Sequence, residues 1–284
     1  MESESASKVL PDLSSDYTLT QEQIRYFRDN GHICLKQVLT PAEITAYRPH
    51  ILEAIRDYMT NTIPSSGPDD SGTVNLRLRH PDVGRFTASR RIAKIAADLM
   101  GVEGVRIYRD SAFFKQPGAA ATPMHQDNNY MLLDTDHSIT AWIPLREVTA
   151  SMGSLHFISR SHTLDNRGKT AKQNLKTAYR LGLEEMTYGG IGLGDVTFHA
   201  GWTLHNAPPN ETKDTREAMT MMYYEDGASI VNPFETDPTG HLNQYFGGQK
   251  TGETADTPFN PLVYKKGAKE RSPKSTCDLF GGCL

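Results

Sequence analysis

Two histidines and an aspartate in this sequence have the residue types and spacing of metal ligands. His125 and Asp127 are separated by one residue, and in a β-strand the side chains of residues i and i+2 point to the same face. The spacing therefore predicts that both side chains face one ion from the same wall. Two ligands hold an ion loosely, so a third is expected elsewhere, and His205, beside the proline-rich segment 206–210, is the best candidate.

Two histidines and one carboxylate form the facial triad of non-haem iron(II) oxygenases. Three protein ligands on one face of the ion leave the other positions for a cosubstrate and dioxygen. A carboxylate at Asp127 favours hydroxylation-type chemistry over halogenation, because a halide cannot take its place. A His-x-Asp pattern also recurs in unrelated chains as a surface pair or a packed hydrogen bond, so the assignment needs further residues.

Arg216 follows His205 on the next predicted strand, across a hairpin. A planar guanidinium pairs with a carboxylate through two parallel hydrogen bonds, and the 5-carboxylate of 2-oxoglutarate is such a partner. The spacing is equally compatible with a surface arginine beside Asp214 or Glu217. The residues alone leave both interpretations open.

Five ordered blocks of sequence extend the pattern and give the chain a family resemblance. They are KQPG at 115–118, PMHQD at 123–127, ITAWIPL at 139–145, GSLHFISRSH at 153–162 with GD at 194–195, and HNAPPN at 205–210 with Arg216. Over residues 20–265 the chain resembles the phytanoyl-CoA dioxygenase family of iron(II)- and 2-oxoglutarate-dependent oxygenases. The resemblance implies a mainly β protein with flanking helices, whose core is a double-stranded β-helix (a jelly-roll, cupin-like).

The resemblance also implies which residues bind the metal and the cosubstrate. His125, Asp127 and His205 match the family's iron ligands, and Arg216 matches the residue that binds the carboxylate of 2-oxoglutarate. His199 is the alternative third ligand, but Arg216 stands at the family's spacing from His205 and not from His199. The implied cofactors are Fe(II), 2-oxoglutarate as cosubstrate, and dioxygen.

Further cosubstrate contacts follow from the same resemblance. Gln126 matches a glutamine that touches the cosubstrate, and Trp142 matches an aromatic residue that lines its pocket. The family often has Gly-Ser after the distal histidine, where this chain has Asn206-Ala207, so the hydroxyl contact to the cosubstrate is either missing here or supplied by Thr140. A lysine that some members use near the cosubstrate has no clear match; the candidates are Arg77 and Arg79. Tyr108 and Phe113 are expected either to line a substrate pocket or to belong to the core. The predictions for the other histidines are structural roles for His156 and His162 and a solvated His137.

Composition and turn residues predict one oxygenase domain at 17–265, with a helical support at 17–103 and a β-helix core at 104–246. Residues 1–16 are expected to be disordered, and 266–284 to form an irregular tail. Helices are predicted at about 20–30, 40–58 and 88–100, with a kink at Pro49. The predicted strands are 33–38, 105–108, 111–115, 139–145, 155–158, 195–199 and 218–224, with a partly helical insertion at 164–189.

The overall charge bears on which partners are expected. The formal net charge is −4, which gives no reason to expect nucleic acid or an anionic membrane. Three widely spaced cysteines, no long apolar run and an acidic start without signal-peptide features favour an intracellular, cytoplasmic protein. The sequence does not specify an oligomeric state, although a homodimer is compatible with it.

The predicted function is oxidation of an unactivated C–H bond in a small hydrophobic metabolite, in natural-product biosynthesis. Desaturation, epoxidation or cyclisation are related outcomes. The alternatives are a catalytically silent metal-binding β-helix module, an oxygenase acting on an acyl-CoA thioester, and a cupin-type dioxygenase with three histidines and a glutamate. Segments 60–73 and 226–250 are predicted to act as lids over the substrate.

Overall fold

The computed structural model describes residues 9–61, 73–231 and 240–268, and two antiparallel sheets form its core. The strands are β1 (His32–Leu35), β2 (Gly104–Lys115), β3 (Thr122–His125), β4 (Ser138–Pro144), β5 (His156–Ile158), β6 (Glu185–Thr187), β7 (Val196–Ala200), β8 (His205–Ala207), β9 (Arg216–Glu225) and β10 (Leu262–Lys265). The larger sheet has the order β1-β7-β4-β9-β2-β10, and the smaller has the order β3-β8-β5-β6. This is the expected double-stranded β-helix.

Side chains on the larger sheet alternate between a helix-facing side and an interior side, as a strand's period of two requires. On β9, Met219, Met221 and Tyr223 belong to the main hydrophobic core. Met222 and Tyr224 belong to a second cluster on the interior side. The interior face of this sheet therefore carries the side chains that can reach a site between the sheets.

Within the described residues, four helices contribute to the main hydrophobic core on the outer side of the larger sheet, a fifth contacts β3 of the smaller sheet, and a sixth packs in the interior-side cluster. In chain order the helices are α1 (Gln21–Asn30), α2 (Pro41–Asn61), α3 (Pro81–Thr87), α4 (Arg90–Met100), α5 (Ala171–Arg180) and α6 (His241–Phe246). Thr20 forms the predicted capping box with Gln23, and the helix ends at Gly31 in the left-handed region. The helix α2 continues through Pro49 as one element and runs past the predicted end at residue 58. The prediction of helix within the insertion 164–189 is confirmed by α5.

Several predicted boundaries differ from the structure. The predicted strands 105–108 and 111–115 are one strand, β2, interrupted by a bulge between Ile107 and Arg109. The predicted strands omit β6, β8 and β10, each of which has only three or four residues, too few to show an alternation. Outside the predicted core range 104–246, β1 and β10 extend the larger sheet on its two sides.

The amino-terminal segment is partly packed onto the core. Leu10 and Leu13 are buried and belong to the main hydrophobic core, so the prediction of disorder is wrong for residues 9–16. Residues 1–8 lie outside the described residues, as do 62–72 of the first predicted lid, 232–239 of the second and 269–284 of the tail. None of the helices in the described ranges is long and apolar enough to cross a membrane.

Candidate metal centre

The two histidines of the predicted triad lie side by side at one end of the smaller sheet. His125 is the last residue of β3 and His205 is the first of β8, and the two are direct cross-strand partners. The sequence predicted that Asp127 continues the strand. In the structure Asp127 instead begins a 3-10 turn at Asp127–Tyr130. The turn still brings its carboxylate back to the two imidazoles, so the three side chains converge as expected.

Backbone carbonyls hold both imidazoles in the tautomer that a metal needs. The Nδ1 atom of His125 lies 2.8 Å from the carbonyl oxygen of Pro123, and the Nδ1 atom of His205 lies 2.9 Å from that of Thr203. A carbonyl only accepts, so each Nδ1 must carry the proton and donate it. Each Nε2 is left with its lone pair directed to the other ligands.

The distances within the triad fit a single ion. The Oδ1 atom of Asp127 lies 3.8 Å from Nε2 of His125 and 3.8 Å from Nε2 of His205, and the three potential ligand atoms all lie within 4.8 Å of one another. Ligands bonded to one first-row metal at about 2.1 Å can be at most about 4.2 Å apart. Both 3.8 Å separations are within that limit, and cis ligands at this bond length are about 3.0 Å apart, so the donor set can close on one ion through small side-chain movements.

The second carboxylate oxygen of Asp127 is held by two side chains of the larger sheet. Thr140 on β4 donates its hydroxyl to Oδ2 at 2.6 Å, and Nε2 of His199 on β7 lies 3.1 Å from the same oxygen. Thr140 and His199 are cross-strand partners. His199, the alternative third ligand, thus lies next to the triad and contacts Asp127, and Thr140 donates to the same carboxylate oxygen.

The charges of the site favour metal binding. Although burial by itself raises the pKa of Asp127, the neighbouring His205 and His199 imidazoles hold it well below its usual value. Burial, with the nearby His125 and His199, holds the pKa of His205 well below its usual value. At neutral pH the carboxylate is ionised and the His205 imidazole is neutral, which are the forms that bind a metal.

A glycine makes room for the turn that carries Asp127. The carbonyl of Gly201 accepts a hydrogen bond of 3.0 Å from the backbone N–H of Asn128. A Cβ atom at Gly201 would lie 2.0 Å from Oδ1 of Asn128 and 2.1 Å from Oγ of Ser138. Any side chain would displace the turn, so this close approach requires glycine.

Arg216 lies on the interior face of the larger sheet, beside Trp142. It is the first residue of β9, is buried, and donates a hydrogen bond from Nη1 to the carbonyl of Gly153. Its guanidinium carbon lies 5.7 Å from the centre of the Trp142 ring, which is also buried. Of the two interpretations left open by the sequence, the structure supports the interior arginine and not a surface ion pair.

Gln126 does not share the face of His125 and Asp127. Its amide nitrogen donates to the Oδ1 atom of Asn166 at 2.9 Å and to the carbonyl of Trp202 at 2.7 Å, and its oxygen accepts from Asn174 at 2.8 Å. Two of these bonds tie the end of β3 to the insertion that contains α5, and the third ties it to the segment after β7. The expected contact of Gln126 with the cosubstrate is therefore not supported, because the amide is already committed elsewhere.

The two arginines considered as substitutes for the family's lysine lie away from the triad. Arg77 is buried in an ion pair of 2.5 Å with Asp110, and Arg79 is exposed beside a surface cavity lined by Asp57, Tyr58 and His80. The other histidines have polar partners outside the triad: His137 pairs with Glu225, His156 with Glu185, and His162 with the carbonyl of Arg28. Tyr108 is buried in the second cluster, and Phe113 is half-buried.

Sequence reasoning missed the groups that support the triad. The carbonyls of Pro123 and Thr203 each stand two residues before a ligand histidine, but a backbone carbonyl leaves no mark in the sequence. Thr140 and His199 were both singled out, yet with other roles. Their position next to Asp127 depends on pairing between β4 and β7, which are distant in the chain.

Comparison with known proteins agrees with this site. A family model described as phytanoyl-CoA dioxygenase (PhyH) matches residues 27–218. The chain is similar to a methylphosphonate hydroxylase of Gimesia maris, with 25% identity over 218 residues that cover 72% of this chain and 81% of that protein. It is also similar to phytanoyl-CoA dioxygenase 1 of Oryza sativa subsp. japonica, with 20% identity over 249 residues and coverage of 72% and 88%.

Solved structures share the fold. SnoK, a non-haem α-ketoglutarate-dependent carbocyclase from nogalamycin biosynthesis, superimposes with a TM-score of 0.76 at 22% identity, covering 88% of this chain and 100% of SnoK. The epimerase SnoN, crystallised with Fe3+, α-ketoglutarate and nogalamycin RO, gives a TM-score of 0.71 at 20% identity, covering 86% and 98%. These likenesses confirm the predicted double-stranded β-helix.

Proposed function

Because the chain belongs to the phytanoyl-CoA dioxygenase (PhyH) family and is therefore an iron(II)- and 2-oxoglutarate-dependent oxygenase, we propose that it oxidises a C–H bond of a small metabolite. We assign the iron to His125, Asp127 and His205, and the carboxylate of 2-oxoglutarate to Arg216. The observation that carries the proposal is the convergence of this ligand set with a buried arginine on the interior face of the same barrel.

The spacing between the triad and Arg216 supports a small dicarboxylate between them. On β4, Thr140 touches Asp127, while Trp142, the next residue on the same face, lies against the guanidinium of Arg216. Residues i and i+2 of a strand are about 7 Å apart. A five-carbon dicarboxylate such as 2-oxoglutarate fits a gap of this size, with one end at the metal and the other at Arg216.

Each residue has a separate task in this reaction. Iron, 2-oxoglutarate and dioxygen together supply the oxidising chemistry when they are bound. His125 and His205 present fixed lone pairs, and Asp127 presents an ionised oxygen, so the ligand face needs only small side-chain movements on binding. Thr140 and His199 keep the second oxygen of Asp127 occupied, which directs the first oxygen toward the ion.

The residues beside the triad would suit a small substrate that has an apolar part. Met222, the cross-strand partner of Thr140, belongs to a cluster with Tyr108, Tyr224 and Tyr245. A relative is named for hydroxylation of methylphosphonate and a structural neighbour for nogalamycin biosynthesis, so small-molecule or natural-product metabolism is the role we propose. Acyl-CoA thioesters, named by other relatives, are the alternative to be screened beside small metabolites.

Replacement of Arg216 tests the proposal. Charge-assisted hydrogen bonds contribute about 1.5–3 kcal/mol each, so Arg216→Ala should weaken 2-oxoglutarate binding by on the order of 100-fold or more. Arg216→Lys should recover only part of this, since an ammonium lacks the planar fork. The measurement is a titration of 2-oxoglutarate into iron-loaded, oxygen-free protein, following the charge-transfer absorption of the chelate.

The control is an arginine outside the barrel. Arg146 pairs with Asp214 at 3.4 Å, and Arg146→Ala should bind 2-oxoglutarate like the parent. Iron binding should persist in all three variants, because neither arginine is a ligand. Unchanged affinity in Arg216→Ala would remove the cosubstrate assignment. Absence of succinate formation in the parent with iron, 2-oxoglutarate and dioxygen would favour a catalytically silent metal-binding module.

A further inference from the structure

A second guanidinium faces the interior of the barrel at Arg109, and a bulge in β2 is the reason that it does. Ile107 pairs with Tyr223 on the helix-facing side, whereas Arg109 pairs with Met222 on the interior side. Tyr108 is the extra residue between them, so simple alternation would have turned Arg109 away from the interior. Bulges of this kind re-aim side chains and are common beside active sites.

The strand register places Arg109 at the level of the triad. Arg109 pairs with Met222, Met222 pairs with Thr140, and Thr140 pairs with His199. This cross-strand row ends in the two residues that contact Asp127. Since neighbouring strands are about 4.8 Å apart, the Cα atoms of Arg109 and Thr140 are about 10 Å apart.

The side chain of Arg109 leans from β2 toward the triad. Its Nε atom lies 3.0 Å from the sulfur of Met222, the residue between Arg109 and Thr140 in the row. Its Nη1 atom lies 3.4 Å from the hydroxyl of Tyr245 on α6, with the guanidinium carbon 6.0 Å from the centre of that ring. The charged end thus lies between Met222 on β9 and Tyr245 on α6.

Among the described residues, the contacts of Arg109 are with neutral groups. A thioether is a weak acceptor and a tyrosine ring compensates a cation only modestly. Within the described ranges no carboxylate pairs with Arg109, although it is half-buried. By contrast, two arginines near Arg109 have carboxylate partners. Arg77, beside β2, pairs with Asp110 at 2.5 Å, and Arg106, on β2, pairs with Asp226 at 2.6 Å.

We propose that Arg109 is the specificity residue of the substrate pocket and binds an oxyanion of the substrate, a carboxylate or a phosphonate. This rests on the proposed function and deepens it, since it names the chemical class of the substrate. A guanidinium that lacks a counter-charge in a partly desolvated pocket is disposed to pair with an anion from solution. Arg216 serves the cosubstrate, and Arg109 serves the substrate.

The distances also limit the size of the substrate. The anionic group of the substrate would bind at the end of the Arg109 side chain. This side chain spans part of the roughly 10 Å between β2 and β4, the strand of Thr140. The carbon to be oxidised must therefore be only a few bonds from the anion. The apolar side chains of Met222 and Tyr108, beside Arg109, contact the body of the molecule.

The test compares matched ligands on the wild type and on Arg109→Met. The probes are short alkyl carboxylates and alkylphosphonates, each paired with its neutral amide or dialkyl ester. Binding is measured by calorimetry on protein loaded with Mn(II) and 2-oxoglutarate without dioxygen, and turnover by succinate formation above the substrate-free rate with Fe(II). We expect anions to bind more tightly than their neutral partners, and Arg109→Met to lose roughly 100-fold in anion affinity, as expected for one bidentate pair.

Two further variants separate recognition from folding. Arg106→Met removes the same charge from the same strand, but this charge is already paired with Asp226, so anion binding should not change. Arg109→Lys should retain part of the anion affinity, because it keeps the charge without the fork. All variants should form the chelate of iron and 2-oxoglutarate with parental affinity, which shows that the site is intact.

The measured affinities either support or overturn the assignment of Arg109 to the substrate. Selective loss of anion binding in Arg109→Met with an unchanged chelate supports it. Equal or stronger binding of the neutral partners, an unchanged anion affinity in Arg109→Met, or the absence of any bound anion in the series would overturn it. Loss of 2-oxoglutarate affinity in Arg109→Met would reassign the residue to the cosubstrate. Failure of the wild type to bind 2-oxoglutarate at all would instead refute the proposed function.

Discussion

At the scale of single residues, the site is defined by how completely Asp127 is constrained. One of its oxygens faces Nε2 of His125 and of His205, and the other accepts hydrogen bonds from Thr140 and His199. The ligands come from the smaller sheet and its adjoining turn, and the supports come from the larger sheet. Metal affinity therefore depends on residues that are not ligands.

Replacement of the two neighbouring histidines should separate a ligand from its support. His205→Ala should abolish iron binding and turnover, because two ligands cannot hold the ion. His199→Ala should lower iron affinity by roughly 10–100-fold and keep measurable turnover, as is usual for outer residues that orient a ligand. Iron content after dialysis at limiting iron measures both. Near-normal iron in His205→Ala with loss in His199→Ala would exchange the two roles.

At the scale of elements, Gln126 attaches the insertion containing α5 to the end of β3. Gln126→Leu would leave the buried Oδ1 atom of Asn166 without this donor and would remove the 2.8 Å acceptor of Asn174. A buried polar group left unpaired costs about 1–3 kcal/mol, so we expect the free energy of unfolding in urea to fall by about 2 kcal/mol. The affinity for 2-oxoglutarate should not change. A large loss of that affinity with unchanged stability would restore the cosubstrate contact that the family resemblance implied.

We expect acid to lower the free energy of unfolding, because His32 on β1 is buried. Burial, with the neighbouring His199 and His162, lowers the pKa of His32 to about 4, whereas an unfolded histidine titrates near pH 6.5. Between these values the unfolded state binds more protons, so the free energy of unfolding is highest above pH 6.5 and falls as the pH drops toward 4. This contribution is about 3 kcal/mol at most, at 1.36 kcal/mol per pH unit.

Urea unfolding of wild type and His32→Gln across this range measures the effect. Glutamine can still reach the hydroxyls of Ser159 and Tyr188, each 2.8 Å from a ring nitrogen of His32, but it does not titrate. The variant should lose less stability than the wild type between pH 7 and pH 4. Parallel stability curves would show that His32 is not responsible.

At the scale of the whole molecule, the metal centre joins the two sheets. His125 and His205 belong to the smaller sheet, while Asp127 is tied to β4 and β7 of the larger one. A ligand that binds only the folded state stabilises it by about 2.7 kcal/mol at a concentration of 100 times Kd. Occupation of this site should therefore stabilise the entire fold.

Thermal unfolding with an inert divalent metal tests this expectation. The metal should raise Tm by several degrees, at roughly 2–4 °C per kcal/mol for a domain of this size, and 2-oxoglutarate should add a further increment. In Arg216→Ala the increment from the metal should remain and that from 2-oxoglutarate should disappear. An equal response to 2-oxoglutarate in this variant would place the cosubstrate elsewhere.

The sequence by itself predicted the fold class and, through the family resemblance, proposed the triad and Arg216, because motifs depend on residue type and local order. Capping residues such as Thr20 and Thr40 indicated helix starts, and alternating apolar residues indicated the long strands. The ordered blocks around His125 and His205 added the family. These signals are local, so they can be recognised in the sequence without knowing which strands pair.

Only the tertiary structure decided which neighbours each side chain has. The assignment of Thr140 and His199 to Asp127, the turn of Gln126 toward α5 and the inward direction of Arg109 all follow from strand pairing and from one bulged residue. A shift of one residue in a strand moves a side chain to the other face. Residue type cannot specify that shift, because pairing is fixed by contacts between segments that are far apart in the chain.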